Sequence, residues 1–277
     1  MQIRQLLVTS ALTLLGLASV AQQAQVDSLK NLLSTKYSNA DTSRIPVLVE
    51  TSKLLLRIDP DQSLALSKEA LRLSITLGYN KHISHIYNNT GTANRLKGEL
   101  GKSLTFHSKA LESDRKNGDR KNEALSLNNL GNVFLKQGKY SEAISNYERS
   151  LRIRQDINDQ SGIASSLNNL GLVYKNQGDL DRALAYYQNA FKIFEQSGDV
   201  VGLANAHNNV GIVYRGNGDQ EKALENFLKA LELFRNLGNN VGEANTLNNI
   251  GNIYYQQEKF DQALEFYENS LVISEKL

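Results

Sequence analysis

The chain of 277 residues contains no cysteine, no tryptophan and only two prolines. Without cysteine it has no disulfide, no thiolate metal site, no thiol nucleophile and no lipid-modified cysteine. No sign of charge dominates either, because 31 lysines and arginines face 29 aspartates and glutamates, for a formal net charge of +2. A chain with balanced charges creates no strong electric field that would attract nucleic acid or an anionic membrane, and we predict no nucleic-acid partner.

The amino-terminal segment differs from the rest of the chain. Arg4 is followed by an apolar run from Leu6 to Val20, and small residues precede a cleavage point after Ala21. This layout predicts a secretory signal peptide over residues 1–21, with an N-terminal helix or membrane anchor as the alternative. From residue 26 onward no stretch reaches the roughly 18 apolar residues of a membrane span. We therefore expect an exported protein with a periplasmic or extracellular location.

One short block returns five times along the chain. Its two asparagines and one glycine recur every 40 residues, with the glycines at positions 91, 131, 171, 211 and 251. A fixed period of this size predicts a stacked array in which each repeat contacts only its neighbours. Such arrays present long continuous surfaces, so the pattern favours binding over catalysis.

Each repeat is read as a pair of helices. Apolar residues from Ala124 to Phe134 recur at steps of three and four, which is typical of one helix face. Gly138 suits the left-handed position that ends a helix, and a second apolar stripe begins at Ala143. We expect small residues such as Gly131 and Ala143 where the two helices cross, with aromatic residues beside the crossing. Glycine or asparagine followed by aspartate or asparagine between the repeats predicts a helix stop and then an N-cap.

This arrangement of small and bulky residues resembles the tetratricopeptide repeat. The 40-residue unit is similar to those of kinesin light chain and Pins-type adaptors, and to exported sensor regions of bacterial signalling proteins. The resemblance implies an all-α protein, an α-solenoid in which antiparallel helix hairpins form a right-handed superhelix. We expect a capping helix and linker over residues 22–43 and an array over 44–277. Its first repeat, 44–83, is degenerate, and the firm repeats are 84–123, 124–163, 164–203, 204–243 and 244–277.

The resemblance also implies that an extended peptide or partner protein binds in the concave groove. With Ala124 counted as position 1, positions 2, 5, 9 and 12 of each first helix are expected to face that groove. Position 5 is asparagine in every firm repeat, and an amide can both donate to and accept from a peptide bond. The predicted groove residues are Asn88, Asn128, Asn168, Asn208, Asn248, Asn132, Asn252, Lys175, Arg215 and Tyr255. The alternative is that the asparagines at positions 5 and 6 are structural and bridge adjacent first helices.

Catalytic and metal-binding patterns are weak. His82 and His85 could hold a metal only if His107 joined them, and His107 stands where other repeats place a core tyrosine. The segment from Gly101 to Ser103 resembles the end of a phosphate-binding loop, but its first glycine is replaced by Leu96 and a helix precedes it. We predict no enzyme activity, no cofactor and no metal.

The leading hypothesis is an exported, non-enzymatic scaffold for a peptide or protein partner. The alternative is the sensor region of a larger signalling protein, with a histidine kinase or nucleotide cyclase downstream. In the last helix, Phe266, Leu271 and Ile273 are expected to face water, where the next repeat would cover them. We therefore expect either further C-terminal polypeptide or a dimer contact at this end.

Overall fold

The computed structural model describes residues 23–276, and every regular element in that range is a helix. Residues 23–34 form α1. The following helices are α2 Arg44–Leu55, α3 Pro60–Thr76, α4 Ile83–Leu96, α5 Leu100–Lys116, α6 Arg120–Lys136, α7 Tyr140–Asp156, α8 Gln160–Asn176, α9 Leu180–Ser197, α10 Val200–Gly216, α11 Gln220–Asn236, α12 Asn240–Gln256 and α13 Phe260–Ser274. The described residues contain no strand, and the predicted all-α fold is confirmed.

The predicted signal peptide, residues 1–21, lies outside the described residues and stays a prediction. Between residues 23 and 276 no helix combines the length and the apolar character needed to cross a bilayer.

The described residues divide into two compact units, which we call the N-terminal unit (residues 23–158) and the C-terminal unit (159–276). In the N-terminal unit the closest helix pairs are α2 with α3, α4 with α5, and α6 with α7. In the C-terminal unit they are α8 with α9, α10 with α11, and α12 with α13. Short turns join the two helices of each pair, which makes them antiparallel neighbours. Each unit is a stack of helix hairpins, the arrangement of an α-solenoid.

Local signals fix the helix ends as the sequence predicts. Gly138 ends α6 with a backbone φ of 72°, and Asn158 ends α7 with a φ of 55°. The first helices α6, α8, α10 and α12 each begin at a side-chain cap that accepts a backbone N–H three residues on. These caps are Asp119 (3.1 Å), Asp159 (3.0 Å), Asp199 (2.9 Å) and Asn239 (3.0 Å). A cap of this kind satisfies a donor that the first helical turn leaves open.

An aromatic ring lying on a glycine joins the two helices of each firm pair. A Cβ added to Gly171 would lie 2.7 Å from a ring carbon of Tyr187, which is closer than real Cβ atoms approach. The same contact pairs Gly91 with His107, Gly131 with Tyr147, Gly211 with Phe227 and Gly251 with Tyr267. The sequence places an aromatic residue beside the crossing, and the structure shows its ring in contact with the glycine. The ring covers the glycine itself, because only a residue without a side chain leaves room for it.

The last helix, α13, is less open than the sequence predicts. Leu271 is 58% exposed, as expected. Phe266, in contrast, stacks on Tyr254 with ring centroids 5.3 Å apart, and Ile273 packs against the cluster that contains Leu247. The expectation that all three face water fails for these two, because they pack against the preceding cluster, to which α12 contributes.

We predict that Gly171→Ala and Gly101→Ala change stability in opposite directions. The new methyl group at Gly171 meets the ring of Tyr187, and overpacking of this kind costs about 1–3 kcal/mol. Gly101 has ordinary helical geometry and open space around it, so alanine should stabilise the chain by up to about 1 kcal/mol. Urea unfolding followed by circular dichroism measures both. Equal effects at the two positions would contradict the packing role of the repeated glycine.

Candidate functional site: the first-helix face

The paired asparagines link neighbouring first helices through their side chains. In the C-terminal unit, Asn209 Nδ2 of α10 donates to Asn168 Oδ1 of α8 over 3.0 Å. The same bond joins Asn249 to Asn208 (3.1 Å) and, in the N-terminal unit, Asn129 to Asn88 (3.2 Å). Each donor is the position-6 asparagine of its repeat, and each acceptor is the position-5 asparagine of the repeat before. The bridging role that the sequence left open is therefore present at both positions, and we call this set of bonds the asparagine ladder.

The side chain of Asn88 is buried and bridges adjacent first helices. It is only 6% exposed, and its Nδ2 donates to the hydroxyl of Ser126 over 2.9 Å. Its Oδ1 accepts from Asn129 and lies 2.8 Å from Nδ1 of His107, which fixes the Nδ1–H tautomer of that ring. Asn128, the next position-5 residue, is also buried. The predicted groove role therefore gains no support from the geometry at Asn88.

The C-terminal unit offers more open amides. A groove of about 320 Å³ lies between α8 and α10, with Asn168, Asn205 and Asn209 among its lining residues. Asn168 uses its Oδ1 in the ladder, but its Nδ2 has no acceptor among the described residues. This nitrogen can donate to a ligand carbonyl. Asn248, in the last first helix α12, is exposed.

The predicted position-9 asparagines have a packing role instead. The hydroxyl of Tyr147 donates to Asn132 Oδ1, and that of Tyr267 donates to Asn252 Oδ1, both over 2.8 Å. In these two repeats the ring that covers the glycine carries a hydroxyl, and a hydroxyl that packing removes from water needs a partner. Asn132 and Asn252 therefore belong first to the packing between the helices of a pair, which the sequence-based interpretation did not foresee.

Position 12 carries cations without carboxylate partners. Lys175 and Arg215 are both half-buried, and no carboxylate among the described residues lies within ion-pair distance of either. Arg215 donates instead to Asn249 Oδ1 over 3.2 Å. Burial lowers the pKa of Lys175, and the positive charge of Arg215 lowers it further. Tyr255, the position-12 residue of the last repeat, is 59% exposed.

Arg95 belongs to the same set, although the sequence analysis did not select it. It is the position-12 residue of the first firm repeat, in α4, and it is half-buried. Burial holds its pKa below the usual value. Applying the same position count to the repeat 84–123 would have identified Arg95 at position 12.

The histidines form no metal centre among the described residues. His82 and His85 have ring centroids 6.1 Å apart, whereas His107 is fully buried on Gly91. No cluster of three or more histidine or acidic side chains suited to a metal occurs between residues 23 and 276.

Comparison with known families matches the repeat pattern. The profile of the tetratricopeptide repeat family matches residues 82–156, 162–236 and 203–276. A search of curated protein sequences finds no match.

Solved structures share the fold at low sequence identity. A Rap protein complexed with Competence and Sporulation Factor is 18% identical over 94% of this chain and 72% of its own, with a TM-score of 0.74. A Podosopora anserina kinesin light chain with nearly identical repeats is 14% identical over 71% and 97%, with a TM-score of 0.56. A Pyrococcus horikoshii signal transduction ATPase with a tetratricopeptide repeat sensor is 14% identical over 82% and 36%, with a TM-score of 0.64.

We predict that His107 makes the fold acid-sensitive. Burial, with a smaller contribution from Arg95, lowers the pKa of His107 from 6.5 to about 3. The unfolded chain binds this proton near pH 6.5 and the folded chain only near pH 3, so stability falls as the pH drops between these values. Between pH 7 and pH 5 the loss from this group is about 2 kcal/mol.

His107→Phe, which copies the Phe227 contact of another repeat, should remove that part of the loss. Urea unfolding of both proteins at the two pH values measures the difference, because all other titratable groups are common to both proteins. An unchanged pH dependence would contradict a neutral, buried His107.

Tyr187 generates a second prediction. Its hydroxyl is buried without a hydrogen-bond partner in the described structure, because position 9 of its repeat is Leu172 instead of asparagine. Leu172→Asn should supply the bond seen in the repeats of Tyr147 and Tyr267, and so stabilise the chain by about 1 kcal/mol. In a Tyr187→Phe background the same change should destabilise it, since the new amide finds no hydroxyl. A double-mutant cycle without this change of sign would contradict the pairing rule.

Proposed function

The chain belongs to the tetratricopeptide repeat family, and from that premise we propose that it is a non-catalytic scaffold for a partner protein. It binds an extended, acidic segment of that partner on the first helices of the C-terminal unit. The observation that carries this proposal is the presence of Lys175 and Arg215, two half-buried cations without a carboxylate, beside the open amides of the asparagine ladder.

The spacing of these groups fits an extended ligand. Asn168 and Lys175 are seven residues apart, which places them on nearly the same face of α8 and about 10 Å apart along its axis. Asn208 and Arg215 have the same relation on α10. An extended peptide advances about 3.3 Å per residue, so roughly three residues separate the two contacts. A backbone carbonyl bound by Asn168 would therefore place a nearby acidic side chain at Lys175.

The electrostatics favour an acidic ligand. Burial without a counter-charge makes the positive form of Lys175 costly, and the neighbouring Arg215 adds to that cost. A carboxylate from the ligand would offset both effects through charge-assisted hydrogen bonds. Arg215 is already oriented by its bond to Asn249, which limits the side-chain entropy lost on binding.

Other proteins with this fold support the proposal. The Rap protein whose structure shares the fold was solved in complex with Competence and Sporulation Factor, so a protein with this fold can bind a factor. Export is part of the proposal and depends on the signal-peptide pattern of residues 1–21. Fractionation of cells that produce the C-terminally tagged chain tests it, and tag retained only in the cytoplasm would contradict it.

A sensory role within a larger signalling protein is the second candidate. The tetratricopeptide repeat sensor of the Pyrococcus horikoshii ATPase shares the fold, which supports this reading. Ligand binding at Lys175 and Arg215 would serve either role. An output domain encoded in the same gene would favour the sensor.

The test begins with a phage-displayed library of random 12-residue peptides selected on the immobilised chain. The selected sequences should be enriched in aspartate and glutamate. Calorimetry should then show that Lys175→Ala and Arg215→Ala each weaken binding of a selected peptide by about tenfold or more, because a hydrogen bond to a charged group contributes about 1.5–3 kcal/mol.

The matched control is Lys192→Ala/Lys229→Ala, which removes two positive charges from the exposed surfaces of the second helices α9 and α11. This variant should bind like the parent, apart from a small loss at low salt. Equal weakening by the control and by Lys175→Ala/Arg215→Ala would show a diffuse charge effect and contradict a site at position 12.

A further inference from the structure

Two positions of the first helix carry large apolar side chains in the other firm repeats but small polar ones in the first firm repeat. Position 11 of the first helix is aromatic in four repeats, at Phe134, Tyr174, Tyr214 and Tyr254, but it is Asn94 in α4. Position 7 is Leu130, Leu170, Val210 and Ile250 in those repeats, but it is Thr90 in α4. Two large apolar side chains are thus replaced by two small polar ones in the same helix. The replacement needs an explanation, since both residues are buried.

The missing ring leaves a groove. In the C-terminal unit, Tyr214 packs in the same hydrophobic cluster as Leu184, a residue of the preceding second helix. The equivalents in the N-terminal unit are Asn94 and Leu64, and here a groove of about 490 Å³ opens between α3, α4 and α5. A volume of this size is in the range of small-molecule sites.

Phe106 lacks the position-11 ring on which its equivalents stack, and its one recorded ring neighbour among the described residues, Tyr87, is tilted by 35° at a centroid distance of 6.2 Å. Tyr174 stacks on Tyr186, and Tyr254 on Phe266, with centroids 5.3 Å apart in both pairs. The corresponding pair in this repeat is Asn94 with Phe106, and Phe106 lines the groove. A planar ring that entered the groove could therefore take the place of the absent position-11 side chain and stack on Phe106.

The polar floor of the groove presents acceptors. Asn94 Nδ2 donates to the backbone oxygen of Thr90 over 2.7 Å, and the Thr90 hydroxyl donates to the backbone oxygen of Ile86 over 2.8 Å. Both donors are therefore used within α4. Asn94 Oδ1 has no donor among the described residues, so it can accept a hydrogen bond from a ligand.

The mouth of the groove carries more positive than negative charge. Lys97 pairs with Asp61, and Lys102 pairs with Glu99. Lys68, which also lines the groove, has no ion-pair partner among the described residues. An anionic group of a ligand at the mouth could form an ion pair with Lys68.

We infer that the groove between α3, α4 and α5 binds a small aromatic acid, a molecule of one or two planar rings with a hydrogen-bond donor on the ring edge and an anionic group opposite. The ring stacks on Phe106, the donor meets Asn94 Oδ1, and the anionic group lies near Lys68. This site is formed by other residues than the first-helix face of the C-terminal unit. The inference is therefore independent of the proposed function.

The probe is 4-hydroxyphenylacetate, measured against the full chain by saturation-transfer NMR and calorimetry. Phenylacetate, which lacks the hydroxyl donor, should bind about tenfold more weakly, as expected for one lost hydrogen bond. Tyramine, with an amine in place of the carboxylate, should bind only a few-fold more weakly, because an exposed lysine contributes little. No binding of 4-hydroxyphenylacetate at millimolar concentration would overturn the inference.

Asn94→Tyr is the decisive variant, because it restores the residue type found at this position in three other repeats. It should fill the groove, raise the melting temperature and abolish binding of the probe. Loss of binding in a more stable protein excludes misfolding as its cause. Retained binding would overturn the inference.

Asn94→Ala keeps the space and removes the acceptor, so its preference for 4-hydroxyphenylacetate over phenylacetate should fall to about one. An unchanged preference would overturn the role of Asn94. The blocked peptide acetyl-Glu-Tyr-Glu-amide tests the other source of a phenol. If the peptide binds and the free acid does not, the small-molecule assignment is overturned in favour of a tyrosine from a partner polypeptide.

Discussion

The contact between a ring and a glycine sets the geometry of each firm helix pair. The ring at position 24 lies where a Cβ at position 8 would have to be, so the first helix must carry glycine there. Burying the ring then imposes a further condition, because a tyrosine hydroxyl in this place requires a partner at position 9. Asn132 and Asn252 meet it for Tyr147 and Tyr267, whereas Phe227 has no hydroxyl and stands opposite Ile212. This contact thus determines the residue types at positions 8 and 9 of the first helix.

The positions left free by packing are the ones available for binding. Lys175 and Arg215 stand at position 12, which takes leucine, tyrosine, lysine or arginine in different repeats. A position that packed against a neighbour would not tolerate such variety. The asparagines at positions 5 and 6 are intermediate. They hold adjacent first helices together, yet an amide has two ends, and the Nδ2 of Asn168 remains open while its Oδ1 is bonded. One residue type can therefore serve both stability and recognition.

Much of the fold was predictable because its determinants are local. Glycines at helix ends, aspartates at helix starts and the 40-residue period each act within a few residues or repeat identically, and the structure confirms the helix pairs they predict. The roles of individual site residues were harder to predict from the sequence. Asn88 bonds to Asn129, 41 residues away, and to His107, 19 residues away. Composition and spacing alone do not distinguish such a bonded amide from one that faces a ligand.

Comparison of the repeats with one another helps to identify the roles of individual residues. The five firm repeats share one structure, so comparing them shows which side chains each position usually carries. A repeat that differs can then be recognised without an alignment to other proteins. Leu172 beside Tyr187 breaks the pairing of asparagine with tyrosine and leaves a buried hydroxyl unsatisfied. Asn94 and Thr90 break the apolar pattern and open a groove. Both departures cost stability, since one leaves a polar group without a partner and the other leaves apolar surface uncovered. A ligand that binds at such a position would offset the lost stability. At Asn94 the aromatic ring found in the other repeats is missing, and a ligand with a ring of similar shape would fit the groove.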